Sequence, residues 1–180
     1  MIDRDEALRA LREAGCSKNV IEHCLAVEHT ALSIAKKISS NGHKIDLQLV
    51  SLGGLLHDIG RAKTHGIEHG IEGGKILRRL GLGDLAPFAE RHIGSGIPAD
   101  EAKELGLPAR DFIPETLEEK VVTYADKLVT KNKRGTYKQA IAWFKMKLGP
   151  EHPSIDRFKI MHEEIRNLMK KKRQFQAAAS

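Results

Sequence analysis

Cysteine is nearly missing from this 180-residue sequence: Cys16 and Cys24 are its only two, and no Cys-x-x-Cys pair exists. That excludes a disulfide framework. Aromatic residues make up only 4%, so a core must rest on Leu, Ile, Val and Ala. No uncharged apolar run approaches the ~18 residues that read as a membrane span. The opening stretch MIDRDEALRALREAG is charged throughout and does not read as a signal peptide. A soluble, cytoplasmic protein without a membrane partner is the expectation. Hydrophobic residues at 41% and charged residues at 30% indicate a globular chain rather than a disordered one. The length suits one domain, or one domain with a helical appendage. A formal net charge of +6 favours anionic ligands such as phosphates or nucleic acid, without choosing between them.

The local signals are helical, and no convincing period-2 strand is visible. A short helix spans 3–14, stopped by Gly15. Ser17 caps a helix running to Ser40, closed by Asn41-Gly42. Asp46 caps a third that ends near Asp58. Further helices are expected over about 67–80, 84–93 and 98–105. Pro108–Pro114 reads as a loop. A helix follows from Thr116 to about Thr130, then a loop over Lys131–Gly135. Two last helices cover about 136–148 and 154–173, with a frayed tail over Gln174–Ser180. The class is all-α.

Leu47–Leu56 is a stretch of ten residues without a charge, and it ends in His57 and Asp58. On a helix, Leu49, Val50, Leu52, Leu55, Leu56 and Ile59 point almost all round the axis, the mark of a core helix. Gly53 and Gly54 suit close approach of a neighbouring helix. A carboxylate at the end of such a helix must be paired, hydrogen-bonded or metal-bound, or else reach water. On the second helix Val20, Cys24, Val27, Ala31, Ile34 and Ile38 form one stripe. His23 lies about 60° from the centre of that stripe and His29 about 180° away, so His23 is the candidate ligand and His29 a surface residue. Asp126 and Lys127 interrupt the apolar segment Val121–Val129, where aspartate is a poor helix former. An Asp–Lys pair on a solvated face is the alternative there. His43, His152 and His162 read as surface residues, and His65 as part of a flexible loop.

The ordered set His23, His57-Asp58, Asp126 resembles the HD superfamily of metal-dependent phosphohydrolases. His57-Asp-Ile-Gly60 is similar to its HDIG variant, and Tyr124-Ala-Asp126 to its closing aspartate helix. The likeness covers roughly residues 17–130. It implies a bundle of about five core helices there, to which the helical signals add an N-terminal helix over 1–16 and a C-terminal helical extension over 131–180 packing on the same domain. It also implies His23, His57, Asp58 and Asp126 as ligands of a divalent cation. Nitrogen and oxygen donors without thiolate suit Mn²⁺, Fe²⁺, Co²⁺, Ni²⁺ or Zn²⁺. His69 and His92 fall where two-metal members carry extra histidines, with Asp58 bridging two ions. The other role open to them is contact with phosphate or with the ligands themselves. Cyclic dinucleotide phosphodiesterases carry two adjacent histidines before Gly-Tyr-Pro, and here one histidine precedes Gly96-Ile-Pro98. A closer likeness is to uncharacterised, mostly archaeal HDIG proteins, through His92-Ile-Gly-Ser-Gly-Ile97, Leu105-Gly-Leu-Pro108, Ile113-Pro114 and Glu118-Glu-Lys120.

The implied reaction is hydrolysis of a phosphate ester of a nucleotide or related small molecule by metal-activated water. Asp58 then also orients the water, and Arg61 and Lys127 neutralise the phosphate, with Lys63 a third choice. A di-iron oxygenase of the same fold and a non-catalytic nucleotide-binding regulatory module are the competing readings. Retention of all four ligands argues against the module. Tyr137, Ile141, Phe144 and Leu148, and Ile155, Phe158, Ile165, Leu168 and Met169, are spaced for core or homodimer contacts. Lys170–Arg173 complements a helix end. Nucleic-acid binding by that cluster lacks the aromatic interleaving that would support it.

Overall fold

The computed structural model describes residues 2–170. Its helices are α1 (Arg4–Ala14), α2 (Lys18–Ser40), α3 (Leu47–Leu56), α4 (His69–Arg79), α5 (Ala86–Arg91), α6 (Ala99–Glu104), α7 (Leu117–Leu128), α8 (Tyr137–Leu148) and α9 (Pro153–Leu168). The class is all-α, with one small antiparallel hairpin, β1 (Val129–Thr130) and β2 (Lys133–Arg134).

The caps explain the boundaries. Asp3 and Glu6 form a reciprocal capping box on α1, and Gly15 ends it in the left-handed conformation. Ser17 accepts from the Val20 amide, and Asp46 from the amides of Gln48 and Leu49. Elsewhere the structure departs from the expected spans. α3 stops at Leu56 and the chain tightens into a 3-10 turn over Ile59–Ala62. The expected helix over 84–93 is three pieces, because Pro87 sits in the first turn of α5 and Gly94 and Ser95 both adopt positive φ. Val129 and Thr130, expected as helix, pair with Arg134 and Lys133. Lys131 and Asn132 turn the hairpin at φ 48° and 59°, so the segment expected as a loop is a two-residue turn and its second strand. α9 ends at Leu168, and Lys171–Arg173 with the tail lie outside the described residues.

One continuous core joins Leu11 of α1, Val27 and Ile34 of α2, Leu52 and Leu55 of α3, Leu77 of α4, Phe88 of α5, Val121 of α7, Phe144 of α8 and Phe158 of α9. α2 and α3 pack so closely that a Cβ on Gly54 would meet the Glu28 Cα at 2.8 Å. Of the stripe expected on α8, Phe144 is buried but Leu148 is 42% exposed. His162 is not a plain surface residue: its ring stacks on Tyr137 at 3.7 Å, and its Nδ1 is hydrogen-bonded to the Tyr124 hydroxyl at 2.6 Å.

Buried Glu90 ties α4 to α5. Its carboxylate accepts from Arg78 at 2.8 and 2.9 Å and lies 3.1 Å from Arg110. Burial presses its pKa up, but the two guanidiniums outweigh that and hold it below the ordinary 4.5. A depressed carboxylate gives stability that is fully present above pH 4.5 and lost as pH falls through its folded value. Glu90→Gln is expected to cost about 1–3 kcal/mol at neutral pH. It should also flatten the fall of Tm below pH 4.5. Thermal unfolding across the acid range checks this, and equal acid slopes in the two proteins contradict it.

Candidate metal centre

Six side chains from five parts of the fold meet in the middle of the bundle: His23 of α2, His57 and Asp58 after α3, His69 at the start of α4, His92 after α5, and Asp126 near the end of α7. Gly60 makes part of this geometry. A Cβ there would lie 1.9 Å from the His69 carbonyl oxygen, so only glycine lets the turn after Asp58 touch the backbone of α4. That contact sets His69 Nε2 3.1 Å from Asp58 Oδ1.

Three of the imidazoles are oriented alike. His57 Nδ1 lies 2.9 Å from the Gly54 carbonyl, His69 Nδ1 2.7 Å from that of Gly66, and His92 Nδ1 2.9 Å from that of Ala89. A carbonyl only accepts, so each Nδ1 carries the proton and donates. Each Nε2 of a neutral ring then offers a bare lone pair to the centre. His69 Nε2 and His92 Nε2 stand 3.1 Å apart, so with both rings neutral two lone pairs face each other there. His57 Nε2 and Asp58 Oδ1 are buried without any hydrogen-bond partner.

The carboxylates complete the set. Asp58 Oδ2 is 3.7 Å from both His23 Nε2 and His57 Nε2, while its Oδ1 is 3.1 Å from His69 and 3.4 Å from His92. Asp126 Oδ1 is 3.0 Å from His23 and 3.6 Å from His57. Burial pushes the pKa of Asp58 up, but His57, His69 and His92 more than reverse this and leave it well below the usual carboxylate range. Asp126 is likewise held low against burial by Lys127 and by His23 and His57. Burial lowers His57, yet Asp58 and Asp126 raise it above its ordinary value, so the centre favours positive charge at that nitrogen. His92 is pushed down to about 4 by burial.

Two groups of donor atoms lie within 4.8 Å of one another: those of His23, His57 and Asp126, and those of His57, Asp58 and His92. Convergent lone pairs, ionised oxygens and partnerless buried atoms fit a divalent cation, and the nitrogen and oxygen donors suit a first-row transition metal.

A cleft of about 500 Å³ opens onto this cluster. His23, His69, His92 and Asp126 form one end, and Arg61 and Lys127 line its wall. Both cations are at present paired, Arg61 Nε with Asp58 at 2.6 Å and Lys127 Nζ with Asp126 at 2.5 Å. Lys63 and His65 are exposed and lie outside the cleft lining. The sequence reading missed the opposite wall, which comes from α8 and the start of α9: Trp143, Phe144, Leu148, His152 and Ser154. His152, expected as plain surface, caps α9 and faces the cleft.

The model of the HD domain family matches residues 20–131, which include all six cluster residues. The chain belongs to the HD domain family. HD proteins are in general metal-dependent phosphohydrolases, and the His/Asp cluster is able to hold such a metal. An uncharacterised protein of Methanocaldococcus jannaschii is 52% identical over 92% of this chain and 98% of its own length. A tRNA (cytidine(56)-2'-O)-methyltransferase of Picrophilus torridus is 38% identical over 92% of this chain, which spans only 47% of that relative. Ribonuclease Y of Alkaliphilus metalliredigens is 32% identical over 61% of the chain and 19% of its own length. No solved structure matches. Among the described residues no helix of this HD protein is long and apolar enough to cross a membrane.

Proposed function

We propose that this HD protein hydrolyses a phosphate ester of a nucleotide or a related small molecule with two divalent cations. His23, His57, Asp126 and Oδ2 of Asp58 would hold the first, and His69, His92 and Oδ1 of Asp58 the second. The observation that carries this is the set of lone pairs turned inward around Asp58, above all His69 Nε2 and His92 Nε2 at 3.1 Å. Such ions, when bound, polarise a phosphoryl oxygen and lower the pKa of water.

The protein's own groups do the rest. Arg61 and Lys127 line the cleft and offer N–H donors to the phosphate oxygens. Asp58 and Asp126, both held ionised, accept hydrogen bonds from water and orient it. The apolar wall of Ile93, Ile97, Val129 and Phe144 limits solvent around the bond that breaks. In the reaction a water oxygen bonds to phosphorus, the ester P–O bond breaks, and the departing oxygen takes up a proton. The relatives with named activities act on RNA by their names, so nucleotides and their phosphodiesters are the substrates to screen first.

The test is release of phosphate or nucleotide from such a panel, after chelation and after adding back each of Mn²⁺, Fe²⁺, Co²⁺, Ni²⁺ and Zn²⁺. Turnover that chelation stops and at least one cation restores is expected. Turnover indifferent to chelator, or none with any cation, overturns the proposal. Two irons per chain with oxygen uptake would point to the oxygenase instead.

A further inference from the structure

From Lys127 to Pro150 the chain carries seven lysines and arginines and not one carboxylate. The fold gathers this stretch into the hairpin β1–β2 and helix α8, at the edge of the metal-ligating cleft. A second hollow of about 300 Å³ lies there, lined by Lys127, Lys133, Arg134, Gln139 and Trp143 among others. Lys127, Thr130 and Trp143 line both hollows, so the two share a wall.

Trp143 is the chain's single tryptophan and is 43% exposed. It is braced edge-on by buried Phe144 at 5.7 Å. An exposed indole between two cation-lined hollows is a platform on which a base can stack. The carboxylates near it are engaged: Asp126 with Lys127, Glu22 with Asn132 and Lys18, and Glu101 with Arg157. A contact between two copies through this face would oppose two surfaces of the same sign. A polyanion meets no such repulsion.

We propose that the hairpin and α8 form a second anion subsite, which takes the neighbouring phosphate of a single-stranded oligonucleotide while a base stacks on Trp143. This names a substrate class for the hydrolase reading and rests on it. The substrate runs from the metal cluster over the Trp143 ridge to Lys133 and Arg134. A free mononucleotide fills only the first hollow. The aromatic group that the basic tail lacks is supplied here by tertiary packing.

Binding tests this apart from catalysis. The full chain, held in chelator to stop turnover, is titrated with an RNA hexanucleotide and with the matching mononucleotide while Trp143 emission is followed. The hexanucleotide should quench the emission and bind at least about tenfold more tightly. The double variant Lys133→Ala/Arg134→Ala should lose most of that advantage, and its salt slope should fall by roughly two. Lys133→Glu should weaken the hexanucleotide further, with unchanged circular dichroism in both variants. Equal affinity for the two ligands, unquenched emission, or a double variant that matches the parent overturns the subsite. Absence of turnover in the metal-loaded chain would remove the hydrolase reading, and this binding result would still be read on its own.

Discussion

Asp58→Asn is expected to cut phosphate release by about 10³-fold or more, which corresponds to several kcal/mol of lost transition-state stabilisation. Asp58 faces four imidazoles, two through each oxygen, at 3.1–3.7 Å. Asparagine keeps the shape and removes the charge. Its amide end also places two N–H groups where a cation would sit. The variant should fold, because Arg61, which loses its partner, is 30% exposed and stays hydrated. Unchanged helical circular dichroism together with lost bound metal completes the expected result. His57→Ala and Asp126→Ala should lose activity similarly. A folded Asp58→Asn protein with parental turnover contradicts the assignment.

The convergence of these six side chains was legible in the sequence because they sit near helix ends whose signals are local. Ser17 and Asp46 start their helices where side-chain acceptors allow, and His23 and Asp58 follow at fixed offsets. The facing of His69 toward His92 was legible only as two alternatives. It depends on Gly60 lying against the α4 backbone, a contact that no helical period reports. The far wall of the cleft was not legible. The stripe on α8 suggested Leu148 as a core or homodimer contact and not as cleft lining, whereas docking against α7 and α9 buries Phe144 and leaves Leu148 and Trp143 at the cleft. The hairpin escaped notice because its turn uses Lys131 and Asn132, without the glycine that marks such turns. His162 looked solvated because its cover, Tyr124 and Tyr137, comes from elsewhere in the chain.

Stripping both cations is expected to lower Tm by roughly 10–20 °C when the loaded protein is compared at some hundredfold above the Kd of each site. The reason is local. Without an ion, the Nε2 atoms of His69 and His92 crowd to 3.1 Å, and buried His57 Nε2 and Asp58 Oδ1 go unpartnered. A cation satisfies these groups in the folded state only, so its binding energy adds to stability. Asp58→Asn should show little difference between loaded and stripped forms. A Tm that ignores chelator in the parent would mean that the cluster closes on itself with protons alone.

The central claim is that these six side chains hold metal ions, and counting ions tests it most directly. Chelator-treated protein is titrated with Mn²⁺, the unbound metal is removed, and the bound metal is measured per chain in the parent, in Asp58→Asn and in His69→Ala. The expected counts are two in the parent, one in His69→Ala and none in Asp58→Asn. Equal counts in all three proteins, or none in the parent with any first-row divalent cation, would contradict the account.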